Sequence, residues 1–274
     1  SLIFGKPLHE KPKIGKPPAY ITNDTAAPSS PAITKFNAFR QALLQDKKGL
    51  SIYRRDFISA CISYADDLRV RDRPNVDSLG KKVLEDCGKL KHVRNHIVDW
   101  ILIESEASPT DEFCQSLLSF LEDLRELKSR PAEVNSWSNA WFDAHSVFVY
   151  ETFLYVVAAL LKTNAYQILH EVFTSHYLLP ATDRHDENKF DTFDCFYGNS
   201  ETLQTELAPE GKRLYSPAAE LIKRQAERED LPFSSVIEAE ILILLMAFLN
   251  PNCRWYPQTL HYSSYSREFP FFIR

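Results

Sequence analysis

The stretch ILHEVFTSHYLLP, residues 168–180, sets a His-Glu pair beside a second histidine. In the zinc motif H-E-x-x-H the histidines lie four residues apart, about 40° around a helix. Both imidazoles then face one metal while the glutamate activates its water. Here His176 follows His170 by six residues, about 240° at roughly 100° per residue. On a mostly helical segment over 164–176 the two rings point apart. His92 and His96 do have the i, i+4 spacing, but beyond Asp99 no third ligand of matching spacing is present, and the surrounding face is rich in Lys and Arg. The sequence therefore predicts neither a metal site nor a cofactor.

Two carboxylates stand out by their neighbours. Glu151 lies among Val147, Phe148, Leu154 and Tyr155, and Glu240 among Val236, Ile237, Ile243 and Leu244. An acid buried on such a face must find a partner or take up a proton. Two outcomes follow for Glu151: a structural hydrogen-bond network, or a small-molecule pocket lined by Tyr150, Glu151 and Tyr155. Pairing of Glu151 with a neighbouring Arg or Lys would remove the second. The sequence has no G-x-S-x-G, G-x-x-x-x-G-K-[ST] or G-x-G-x-x-G, which disfavours serine-hydrolase, P-loop and dinucleotide chemistry. For a Cys-His pair, nothing selects one of the five cysteines over another.

The elements that must position these groups read as helices. Only 7 of 274 residues are glycine, which argues against a turn-dense all-β fold, while 44% hydrophobic residues suffice for a core. Residues 1–32 are proline- and lysine-containing and aperiodic, and read as an extended arm or linker. The abrupt start SLIFGKPL, without Met, suits an excised carboxy-terminal region or a processed tag. From residue 33 to 274 one helical domain is expected, with a possible subdivision near 131–136. Its features include a helix ending at Lys47-Lys48-Gly49, a long helix containing Gly80 and Gly88 where a neighbour approaches, and an N-cap at Ser108 ahead of Pro109. Another cap is expected at Ser216 ahead of Pro217. The apolar runs 147–161 and 236–249 carry Glu151, Glu238 and Glu240. At about fifteen residues each they fall short of the roughly twenty a membrane span needs, and read as buried core helices. The tail CRWYPQTLHYSSYSREFPFFIR lacks a 3.6 period and is expected to be extended.

Charge and cysteine usage bound the partners. A formal net charge of −5 gives no overall footprint for nucleic acid. Five scattered cysteines without a C-x-x-C pair suit reduced thiols in a cytoplasmic protein. No h-region marks a secretory signal.

Arg254 and His261 match the spacing R-x6-H. This resembles the R-x4-6-H motif of HEPN-type ribonucleases, all-helical proteins in which the motif lies on a helix and cuts RNA without metal across a dimer. The resemblance would make Arg254 and His261 the catalytic pair, although Trp255 replaces the polar residue after Arg and Pro257 interrupts the segment. A second resemblance covers more chain. FVYETFLYVVAALLKTNAYQILHEVFTSHYLLP, LPFSSVIEAEILILLMAF, WYPQTL and FPFFIR, spanning roughly Val147 to Arg274, look like the helical carboxy-terminal region of bacterial proteins with an effector such as a Toll/interleukin-1 receptor (TIR) domain in front. Such proteins are implicated in antiphage defence. The resemblance implies a non-catalytic sensing or assembly module, with any NAD-cleaving activity outside this chain.

The expectation is thus an all-α, or nearly all-α, bundle that controls a protein partner or a fused effector domain and is able to form a homo-oligomer. Its first candidate surface is the aromatic tail with Trp255, Tyr256, Tyr262, Tyr265, Phe269, Phe271 and Phe272, since Trp, Tyr and Arg concentrate in interface hot spots. The alternative is the same tail packed on its own core.

Overall fold

The computed structural model describes residues 31–45, 48–107, 110–179, 190–208, 210 and 212–266. Ten α-helices are present among them: α1 (Pro31–Leu44), α2 (Leu50–Asp67), α3 (Leu79–Glu106), α4 (Asp111–Glu126), α5 (Asp143–Lys162), α6 (Tyr166–Thr174), α7 (Leu203–Leu207), α8 (Pro217–Gln225), α9 (Phe233–Leu249) and α10 (Gln258–Ser266). The only strands among the described residues are β1 (Tyr177–Leu178) and β2 (Phe190–Asp191), antiparallel with Tyr177 opposite Asp191. The all-α expectation holds.

α5 organises the bundle. It is apolar on every side, and a helix of that kind must be enclosed. All of it except Ser146, Leu161 and Lys162 is buried, with α3, α9, α6 and α4 packed around it. With the short 3-10 helix that leads into it, the span Asn139–Lys162 is 24 residues, longer than the apolar run alone suggested. It is long and apolar enough to cross a membrane by length and composition, and 89% of its most apolar window is buried inside the fold. In front, α1 packs on α2, and both lie against α3. Trp100 of α3 is the hub there. It meets Phe113 and Phe120 of α4 edge-on at 5.7 Å each and Phe57 of α2 at 6.3 Å, contacts each worth roughly 0.5–1.5 kcal/mol beyond area burial.

Local signals explain some of the helix ends. Ser216 caps α8 by accepting from the Ala219 N–H at 3.1 Å, with Pro217 at the first helical position. α5 ends in a Schellman turn at Asn164 (φ 57°), where the Ala165 N–H reaches the Leu160 carbonyl and the Asn164 N–H the Leu161 carbonyl. Gly80 is a close approach, since a Cβ there would lie 2.7 Å from the Glu206 carboxylate on α7. Gly88 has nothing within 4 Å and serves no such purpose.

Four expectations need correction. α1 stops at Leu44, and Gly49 (φ 84°) is instead the entry to α2, in a left-handed conformation that favours glycine. The cap of α4 is Thr110, whose hydroxyl accepts from Phe113 N–H at 3.1 Å; Ser108 and Pro109 lie outside the described residues. α6 ends at Thr174, so His176 is not helical. The tail is not extended throughout, because residues 258–266 form α10. Residues 1–30 and 267–274 of the expected arm and tail lie outside the described residues.

Candidate functional site

Both buried acids are fully engaged, in different ways. Glu151 on α5 pairs with Arg94 of α3, and both side chains are buried. The Arg94 guanidinium also lies 4.3 Å over the ring of Tyr155 and donates to Asn95 Oδ1 (2.9 Å) and to the Gln225 carbonyl (3.3 Å). Burial pushes the Glu151 carboxyl up, with Arg94 opposing it. Beside this pair, Arg228 holds Asp99 and Asp230 at 2.7 Å each and the Asn95 carbonyl at 3.2 Å. The link between α8 and α9 is thereby pinned to α3. Tyr150 donates to Glu240 rather than lining a pocket. The pocket expected from Tyr150, Glu151 and Tyr155 therefore gives way to a structural ion pair.

Glu240 of α9 organises the tail. Its carboxylate, with no exposed surface, accepts the N–H groups of Gln258 (3.1 Å), Thr259 (2.7 Å) and Leu260 (3.0 Å). These are the first three residues of α10, whose N–H groups have no partner within their own helix. The Thr259 hydroxyl (2.6 Å), the Trp255 indole N–H (3.3 Å) and the Tyr150 hydroxyl complete the shell. A negative charge at the positive end of a helix is favourable there. Glu240 is thus the N-terminal cap of a helix eighteen residues downstream.

Among the described residues no group of three or more His, Cys, Asp or Glu is able to hold a metal. Burial, then the positive neighbours His92 and Arg228, push His96 down to about 4. A cleft of about 480 Å3 gathers Asp111, Cys114, His170 and Glu171 between α4 and α6. Burial and the two acids raise the Cys114 thiol, which opposes the thiolate a nucleophile needs. Burial likewise pushes up Cys61, Cys87, Cys195 and Cys253. Arg254 and His261 do not share a helix: His261 is on α10, whereas Arg254 precedes it by four residues and donates its backbone N–H to Asp194 at 2.9 Å. The helix-borne R-x6-H arrangement is not formed.

The aromatic tail divides. Trp255 is not a surface residue; it is buried against Tyr150, Phe153 and Tyr197 at 5.6–6.0 Å. Tyr256 and Tyr265 are exposed beside Tyr215, whose hydroxyl bonds that of Tyr256 while its ring stacks 4.7 Å from Tyr265. His261 stacks 5.2 Å from Tyr256, and Tyr262 is half-buried and donates to Glu220. Arg213, Leu214, Tyr215, Tyr262 and Tyr265 line a cleft of about 620 Å3. Phe269, Phe271 and Phe272 lie outside the described residues.

The largest departure is on α9, expected to be a buried core helix. One face is in the core, through Val236, Ala239, Glu240 and Ile243. The opposite face presents Ile241, Leu244, Leu245, Phe248 and Leu249, and the last three are 54%, 78% and 78% exposed. Their spacing of 0, 3, 4, 7 and 8 is the register with which a helix buries itself against a neighbour. The signal lay in the sequence, in a run too apolar to have a polar side, and length alone assigned it to the core.

Comparisons with protein families, with curated proteins and with solved structures find no match to this chain.

Proposed function

We propose that this chain is a non-catalytic sensing or assembly module of a bacterial, cytosolic defence system, acting by docking a protein partner or an effector domain. The outward apolar stripe of α9 carries this reading. A contiguous patch of large exposed apolar side chains marks an interaction site, whereas single ones do not. The exposed tyrosines 215, 256 and 265 on the α8–α10 side add the aromatic chemistry that interface hot spots favour. The resemblance of residues 147–274 to helical regions that accompany effector domains supplies the defence setting.

Cross-linking in the host cell tests it, comparing wild type with Leu245→Glu. A defined cross-linked assembly that disappears in the variant is the expected result. A wild type that stays monomeric, indistinguishable from the variant, would remove the proposal. The purified chain should also leave structured RNA intact, and metal-independent cleavage abolished by His261→Ala would install a ribonuclease instead.

A further inference from the structure

We infer that the occupant of the α9 stripe is a second copy of this chain, with the two α9 helices antiparallel across a two-fold axis at Leu245. This rests on the reading of that stripe as a docking surface.

The stripe is self-complementary. Ile241, Leu244, Leu245, Phe248 and Leu249 contain no charge and no hydrogen-bonding group, so an identical stripe satisfies it fully. Two-fold pairing of one patch with itself is also the commonest closed assembly.

The charges at its two ends fix the direction. Glu238 is exposed at the amino-terminal end, and Arg254 is exposed just past the carboxy-terminal end. Among the described residues neither side chain has an ion-pair partner. α9 ends at Leu249, and Arg254 is exposed in the segment that follows its last turn. With the axis at Leu245, each Glu238 lies toward the carboxy-terminal end of the other α9, the end from which that segment leaves. Symmetry makes the match twice. A parallel pair would instead set Glu238 against Glu238 and Arg254 against Arg254, a like-charge arrangement that costs affinity. The antiparallel pair also opposes the two helix dipoles.

A lipid surface fits less well. Helices that lie in the bilayer interface carry Lys and Arg beside the apolar face, whereas the exposed charge on α9 is Glu238 and the helix has no basic residue. A single helix pair is near the small end of specific interfaces, so a reversible dimer is expected.

Sedimentation equilibrium of the full chain over a wide range of concentrations should show a reversible, concentration-dependent dimer. Leu245→Glu, and independently Phe248→Glu, should weaken it at least about tenfold by burying charge at the axis, with unchanged circular dichroism. Glu238→Arg and Arg254→Glu should each weaken it, and the double swap should restore it. Leu245→Cys should form a disulfide-linked dimer, whereas Glu238→Cys should not link to itself.

A self-linking Glu238→Cys, or a double swap that fails to rescue, would overturn the antiparallel pair. A monomeric chain whose stripe variants still lose a host-cell assembly would overturn the second copy but leave the docking surface standing. Flotation with zwitterionic vesicles that Leu245→Glu abolishes would assign the stripe to lipid, and protection of Leu245→Cys from thiol labelling in the dilute monomer would assign it to this chain's own residues. If the stripe variants change neither oligomeric state nor host-cell assembly, both readings fall.

Discussion

Thr259 donates twice to Glu240, through its backbone N–H at 2.7 Å and its hydroxyl at 2.6 Å, although nineteen residues separate them. The start of α10 is therefore fixed by a carboxylate on another helix and not by a local cap. Glu240→Gln keeps the shape but turns an amide N–H2 toward backbone and indole N–H groups, which can only donate. The expected cost is about 3 kcal/mol. Hydrogen–deuterium exchange should show loss of protection at Thr259 and Leu260 with the α3 amides little changed. Uniform protection across α10 in the variant would contradict this role.

Arg94 and Glu151 offer a second test, because a buried pair is costly to halve and cheap to replace whole. Arg94→Met strands the carboxylate and should cost about 3–5 kcal/mol at neutral pH. The double variant Arg94→Met/Glu151→Leu should recover most of that loss. Burial already raises the Glu151 carboxyl, and removing Arg94 raises it further. A folded-state pKa above the unfolded one means the folded state binds the proton more readily. The deficit of Arg94→Met should thus shrink as pH falls toward the ordinary carboxylate range. Urea unfolding of the three proteins at two pH values measures both effects.

His145 gives a pH dependence of the opposite sign. Its Nε2–H donates to the Ala65 carbonyl at 2.8 Å, and burial pushes its pKa down to about 4 from 6.5. Arg69 opposes its protonation, while Asp66 and Asp86 favour it. The unfolded chain takes up a proton here below 6.5, and the folded chain does so only near 4. Stability from this group is whole above 6.5 and is lost as pH falls toward 4. Between pH 7 and 5 the wild type should lose roughly 2 kcal/mol more than His145→Gln. Equal pH slopes for the two proteins would refute the assignment.

What the sequence revealed depended on whether the cause of a structure was local. Ser216-Pro217 predicted the start of α8 because the cap and the proline act within one turn. The apolar runs around Val147 and Val236 predicted two core elements, because composition alone forces burial of at least one face. α10 was illegible, since its cap, Glu240, is eighteen residues upstream and Pro257 suggested a break. Glu151 was recognisable as an acid in need of a partner, but Arg94 lies 57 residues away and only the α3–α5 contact names it. Trp255 was placed on a surface for its residue type, which does not say on which side of the wall a ring lies.

α9 has one buried and one exposed apolar face, and substitution should separate their contributions. Ile243 is fully buried, and Ile243→Ala should cost about 2–5 kcal/mol through lost burial and the cavity left behind. Leu245, two residues on, is 54% exposed. In dilute monomer Leu245→Lys should change stability by less than about 0.5 kcal/mol, as surface substitutions do. It should also raise solubility by breaking the apolar patch. Chemical denaturation at submicromolar protein checks the first contrast, and precipitation thresholds check the second. If Leu245→Lys destabilised the monomer as much as Ile243→Ala, the outer stripe would belong to this chain's own fold, and its hydrophobicity would need no partner to explain it.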